Sequence, residues 1–242
     1  HNSALYSWLG YGHLLQDQMS KEAFFERQPL TQNLPLAANL GEHTYLRKIW
    51  KEQWKRPVLL IGDQITRFRR LHVLIQGHQA TRRLQAEFMR HEFLSSNSAH
   101  SPLATTSRRR LYISRRLRRR VLNEAQIWSL LKDRGFEWMD DQKLSRMTLR
   151  QQAALFQSAE MIVSPHGSQL FNIFFCQSNL ALIEFFKVSW PDSCALTILR
   201  ASATQARYAY VMDWWPWETP GQTLSGADIR VDPDKLESLL SV

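Results

Sequence analysis

The segment Ser164-Pro165-His166-Gly167-Ser168-Gln169-Leu170-Phe171-Asn172 has the residue types of a turn that leaves a strand and opens a helix. Such a turn can hold an anion. Glycine lets the backbone approach a phosphate closely, and the unpaired N–H groups of a helix start point at it. The helix end contributes about 0.3–1 kcal/mol, so firm binding of a diphosphate requires a second positive element. Arg115 is placed to supply it, just past the end of a strand at Leu111 to Ser114, with Arg120 and Asn123-Glu124 entering the next helix. A guanidinium there meets phosphate oxygens in bidentate fashion, and a hydrogen bond to a charged group contributes about 1.5–3 kcal/mol. The competing readings are plain ones: an ordinary turn with a hydrogen-bonded histidine, and a solvated face for most of the neighbouring arginines.

These residues need elements that bring them to one edge. Leu111 to Ser114, Phe136 to Met139, Met161 to Ser164, Leu180 to Phe186 and Tyr208 to Met212 read as strands, being short and rich in β-branched and aromatic residues. Helical signals separate them. Asn123 is a candidate N-cap with Ile127, Leu130 and Leu131 at helical spacing and Gly135 as the stop. Thr148 with Gln151 has the form of a capping box, and Asp192 precedes a helix to about Ser202. Asp232-Pro233 opens a terminal helix. Strands and helices alternating in this way predict a parallel, doubly wound α/β sheet with the Arg115 and His166 loops on one edge. Earlier in the chain, helices are expected at Ala4 to Met19, Tyr45 to Trp54 and Gln79 to Phe93, and strands at Val58 to Ile61 and His72 to Ile75. The polar stretch Ser95 to Ser107 reads as a linker, which divides the chain into an N-terminal α/β part, 1–100, and a Rossmann-like domain, 101–242.

Composition limits the partners. The 242 residues carry a formal net charge of +9, but Arg108, Arg109, Arg110, Arg115, Arg116, Arg118, Arg119 and Arg120 place eight of the positive charges in one short run, and without them the balance is +1. Such a run attracts phosphate on a nucleic acid, a membrane surface or a nucleotide-linked substrate. Two cysteines, Cys176 and Cys194, exclude a disulfide framework and a four-cysteine zinc site, leaving room for one bridge. No apolar run approaches the roughly 18–20 residues that cross a bilayer. The expected location is the cytoplasm, with peripheral contact at an anionic inner membrane face. Trp214, Trp215 and Trp217 beside Pro216 could stack on a sugar or sit at that interface, although packing of the terminal segment is the better reading.

The motifs together resemble the glycosyltransferase family 61 type, found among polysaccharide-building enzymes of bacteria, including those that make capsules, and in plant and animal sugar transferases. The likeness rests on Leu111-Tyr112-Ile113-Ser114-Arg115, Arg120, Asn123-Glu124, Gly135-Phe136, Gln152, Phe156, His166-Gly167, Leu170, Asn172 and Ile183-Glu184, in the family's order. It spans Arg110 to Phe186. The chain departs from the pattern at Ser168 and Gln169, where the family shows a small residue and Gly, and at Ser7, where Tyr6-Ser7-Trp8-Leu9 lacks a histidine.

The resemblance implies a GT-B architecture with a reduced or truncated N-terminal part, and an inverting transfer from a nucleotide sugar to a glycan or lipid-linked acceptor. The donor-binding residues it implies are Arg115, Arg120, Asn123, Glu124, His166, Gly167, Ser168, Gln169, Asn172 and Glu184, with Glu184 a candidate acceptor for ribose hydroxyls. His166, His13 and Asp63 are the candidate bases. No cofactor and no metal are expected, the nucleotide sugar being a substrate. Asp232-Pro233-Asp234 has the Asp-x-Asp form of metal-dependent transferases, but Pro233 at a first helical position makes a helix cap the better reading.

Two other functions fit parts of the chain. A nucleic-acid-binding module would use the arginine run and Tyr112, without any recognisable zinc, helix-turn-helix or RNP-like motif. A degenerate transferase domain would bind a glycan without catalysis. A dehydrogenase lacks its Gly-x-Gly-x-x-Gly, and a serine hydrolase lacks its Gly-x-Ser-x-Gly elbow.

Overall fold

The structure is a computed structural model that describes residues 80–94, 108–188, 191–202, 205–213 and 226–241, with short stretches at 27, 29–30, 33–38, 57–60 and 67–71. Two short strands near the start, β1 (Leu36–Ala38) and β2 (Val58–Leu60), pair in parallel. Helix α1 (Ala80–Leu94) follows. The expected helices at Ala4 to Met19 and Tyr45 to Trp54 and the strand at His72 to Ile75 lie outside the described residues.

The main sheet has five parallel strands, β3 (Arg109–Ser114), β4 (Phe136–Asp140), β5 (Ala159–Pro165), β6 (Ala181–Lys187) and β7 (Arg207–Asp213), in the order β4-β3-β5-β6-β7. Four of them contain an expected strand and extend it by one to three residues, and β6 is the expected Leu180 to Phe186 strand shifted by one residue. The interior strand β6 is buried along its whole length, whereas the edge strand β7 exposes Arg207 and Tyr210. A strand covered on both faces has no reason to alternate, hence the continuous apolar run in Ala181-Leu182-Ile183.

Helices cover both faces. Leu111, Ile113, Ile162 and Leu182 point into one core with α1, α4 (Leu149–Gln157), a 3-10 helix (Ser168–Phe175) and α5 (Cys194–Ser202). Tyr112, Val163, Ile183, Phe185 and Val211 point into the other, with α2 (Glu124–Lys132) and α6 (Pro233–Leu240). Successive strand residues therefore feed opposite cores, as a doubly wound α/β fold requires. Ala86, Met89 and Phe93 of α1 belong to the first core, so the helix before the polar stretch packs on the sheet that follows it.

Local sequence explains where the elements start and stop. Thr148 and Gln151 form both halves of a capping box at α4, through Gln151 N–H to Thr148 Oγ1 (3.2 Å) and Thr148 N–H to Gln151 Oε1 (2.8 Å). Gly135, at φ +76°, carries the chain out of the turn after α2 in a conformation that favours glycine. Asp140 caps the short α3 (Asp141–Arg146). Asp232 accepts from the N–H groups of Asp234 and Lys235, so the Asp-Pro-Asp sequence is a helix cap with its first carboxylate engaged. Asn123 is a correction: it stands at the N-cap of α2 but makes no side-chain cap bond. Its amide instead pairs both ways with the backbone of Val231, at 2.8 and 3.0 Å. Cys176 and Cys194 are both free thiols. Among the described residues no helix is long and apolar enough to cross a membrane.

Candidate functional site at the sheet edge

In this strand order the chain moves from β3 to one side, to β4, and then returns across β3 to β5 and the strands beyond. The connections after β3 and β5 consequently part, leaving a crevice at the carboxyl ends of two adjacent strands. Open α/β sheets bind ligands at such switch points. Arg115 follows β3 and Gly167 follows β5, so the two leading sequence features meet there.

Their contact is close. Arg115 Nη1 donates to Gln169 Oε1 at 2.7 Å, and Arg115 Nε donates to the Arg118 carbonyl at 3.0 Å. A Cβ built on Gly167 would lie 1.5 Å from Arg115 Nη1 and 2.6 Å from Cζ. Gly167 is extended, at φ 170°, so the position requires glycine for space and not for conformation. Arg115 thus occupies the space a side chain at Gly167 would fill. Its acceptors are both neutral, and burial with the nearby Arg119 brings the guanidinium down to about 10, with Asp141 opposing and Arg118 adding to the shift.

Arg119 lies beside it. Its φ of +57° is unusual for a bulky residue, and its Nη1 donates to the His166 carbonyl at 3.2 Å. Burial and Arg118 lower its pKa, while Asp192 and Glu184 oppose the shift. The charge run therefore resolves into separate jobs. Arg109 pairs with Glu137, Arg110 with Glu160, Arg116 with Asp140, and Arg120 with Asp228.

Arg120, Asn123, Glu124 and Asn172 are engaged in holding the loops. Arg120 grips the buried Asp228 through its backbone N–H (2.9 Å) and its guanidinium (3.0 and 2.6 Å). With the Val121–Ile229 bridge and Asn123, this ties residues 226–231 to the loop after β3. Glu124 accepts from the Tyr112 hydroxyl at 2.7 Å. Tyr112 is fully buried against Trp128 and Trp138, which leaves it no face for a nucleic-acid base. Asn172, also fully buried, donates to Gln152 Oε1 (3.2 Å) and the Gln169 carbonyl (3.1 Å). It fixes the turn that presents Gln169.

Beneath the cations runs a buried polar chain. His166 Nδ1 lies 2.7 Å from Glu184 Oε1, and the Tyr208 hydroxyl donates to Glu184 Oε2 at 2.9 Å. His166 Nε2 faces Asp192 Oδ2 at 3.5 Å, and its ring stacks on Phe186. Glu184 has no exposed surface. Burial pushes its carboxyl up, against the opposing effect of His166 and Tyr208. Asp192 accepts from Cys194 N–H at 2.7 Å. Burial alone would raise Asp192, but that bond, His166 and Arg119 together hold it below the usual carboxylate range.

The model of the family described as glycosyltransferase 61 matches residues 11–183, more than two thirds of the chain. The chain belongs to the glycosyltransferase 61 family. The match extends the resemblance read from Arg110 to Phe186 far toward the N-terminus and closes on β6. No curated protein matches the chain.

This glycosyltransferase 61 member accordingly has a sugar donor and an acceptor as substrates. Of the residues expected at the site, Arg115, His166, Gly167, Ser168 and Gln169 come together at the switch point, and Glu184 lies beneath them. His13, Asp63, Tyr6-Ser7-Trp8-Leu9, Trp214, Trp215 and Trp217 lie outside the described residues. Ser168 opens a 3-10 helix instead of an α-helix, with Leu170 N–H donating to the Gly167 carbonyl at 3.0 Å. Sequence reading missed Arg119 as distinct within its run, and took Asp192 only as a cap. Its position past β6 was the signal that Asp192 shares the same edge.

Proposed function

We propose that the chain transfers a sugar, with inversion, from a nucleotide-sugar donor to a glycan or lipid-linked acceptor, and that Arg115 and Arg119 hold the donor diphosphate. The observation that carries this reading is Arg115: a largely desolvated guanidinium, seated in the space left by Gly167, whose two acceptors are uncharged. A partly buried cation with neutral partners is costly, and a diphosphate at the switch point would offset that cost.

In the proposed reaction an acceptor hydroxyl attacks the anomeric carbon. The new C–O bond forms as the bond to the diphosphate oxygen breaks, the hydroxyl proton passes to a base, and the nucleoside diphosphate leaves with the electron pair. Arg115 and Arg119 stabilise the charge that develops on it. Gly167, Ser168 and Gln169 line the same turn, and Arg120, Asn123, Glu124 and Asn172 hold it in place. His13 and Asp63 are the proposed bases. His166, with each ring nitrogen directed to a carboxylate, is proposed to position Arg119 through its carbonyl. No metal takes part in this scheme.

The experiment is a transfer assay across UDP-, GDP- and CMP-linked sugars in the presence of chelator, with the anomeric configuration of the product read by NMR. Transfer with inversion in chelator is the expected result. Failure of every donor to bind, retention of configuration, or activity restored only by Mg²⁺ or Mn²⁺ would contradict the scheme. Saturable binding without turnover would favour a glycan-binding relative.

A further inference from the structure

The Arg115–Arg119 edge carries a carboxylate, Asp192, that the diphosphate scheme does not use. Asp192 stands just past β6, with its side chain 26% exposed. Oδ1 is taken by the Cys194 N–H. Oδ2 faces His166 Nε2 at 3.5 Å, longer than an ordinary hydrogen bond, so it keeps its capacity to accept. His166 is also the residue whose carbonyl receives Arg119. Asp192 is therefore one residue away from the proposed phosphate cations, on the open side of the buried chain.

Glu184 cannot fill the role that its place at the end of a strand suggests. It has no exposed surface, and its two oxygens are occupied by His166 and the Tyr208 hydroxyl. Asp192 is the carboxylate at this edge that faces His166 Nε2 and acts on Arg119. A carboxylate beside a diphosphate site repels the phosphates, and a neutral donor on the same ligand would offset that repulsion. Because the Cys194 N–H, His166 and Arg119 outweigh burial and hold Asp192 ionised, it is an acceptor at neutral pH and a poor base.

We propose that Asp192 accepts a hydrogen bond from a hydroxyl of a ring joined to the donor diphosphate, either the ribose or the transferred sugar. This rests on the assignment of Arg115 and Arg119 to the diphosphate, and the test separates the two claims. Inorganic pyrophosphate, UDP, GDP, their 2′,3′-dideoxy forms and the corresponding nucleotide sugars are titrated calorimetrically into the wild type and Asp192→Asn. Asparagine keeps an oxygen for the Cys194 N–H.

If the ribose is the partner, the substitution weakens UDP or GDP about tenfold, leaves pyrophosphate equal or tighter, and has no effect on the dideoxy forms. If the transferred sugar is the partner, only the nucleotide sugar loses about tenfold. An equal loss for pyrophosphate and nucleotide, or no loss for nucleotide and nucleotide sugar alike, overturns the assignment of Asp192 while leaving the diphosphate site standing. Absence of wild-type binding by every probe removes both. Should Asp192→Asn fail to fold, the comparison continues in the wild type: equal affinities for each ribose–dideoxy pair, and for nucleotide and nucleotide sugar, overturn the assignment.

Discussion

Arg115 and Gly167 act as one unit, since the guanidinium lies where a side chain at Gly167 would be. Replacing Gly167 by alanine adds no backbone strain to an extended residue, yet must displace Nη1. The expected outcome for Gly167→Ala is near-normal unfolding by urea with nucleoside-diphosphate affinity reduced tenfold or more, the loss of a charged hydrogen bond of about 1.5–3 kcal/mol. Unchanged affinity would separate Gly167 from the site. The sequence made both residues visible, because a Gly after a strand and an Arg after the next are local signals. The contact with Arg115 was not visible in the sequence, since it depends on where the guanidinium is seated. The roles of Glu184 and Asp192 were not legible. A carboxylate's availability depends on which neighbours satisfy it, and His166 and Tyr208 are 18 and 24 residues from Glu184.

The elements were read well wherever their signals lie within a few residues. Every expected strand of the main sheet is present, and the Thr148–Gln151 box forms with both bonds. Thr148→Ala should cost about 0.5–2 kcal/mol in urea unfolding, the worth of an N-cap, without changing nucleotide affinity, because both bonds of the box join Thr148 and Gln151 and neither reaches the Arg115–Gln169 turn. A matching loss of affinity would show that α4 bears directly on the site. The Ser168 helix was predicted in place but not in type. Its 3-10 form depends on the buried Leu170, Ile173, Phe174 and Phe175 packing on the sheet, and on Arg90 of α1, which donates to the carbonyls of Phe174 and Cys176 at its end. Those contacts come from distant sequence. The tighter helix offers a weaker anion site than a full α-helix, which shifts the burden to the guanidinium groups. Asn123 failed as a cap for a similar reason: Val231 takes its amide across 108 residues.

At the scale of the whole molecule, the net charge of +9 suggested a surface property. The structure divides it. Four arginines of the run are paired with carboxylates, and Arg115 and Arg119 stand where the connections after β3 and β5 part. Alternation of elements made the doubly wound sheet legible, but strand order set that crevice, and order follows from packing on two faces. The family match reaches residue 11, about a hundred residues before the motifs that begin at Arg110. All of this converges on the claim that the crevice binds a diphosphate through Arg115. The most direct test is calorimetric titration of nucleoside diphosphate into the wild type and Arg115→Ala. The account predicts saturable wild-type binding that weakens by tenfold or more in the variant; equal affinity in the two proteins would contradict it.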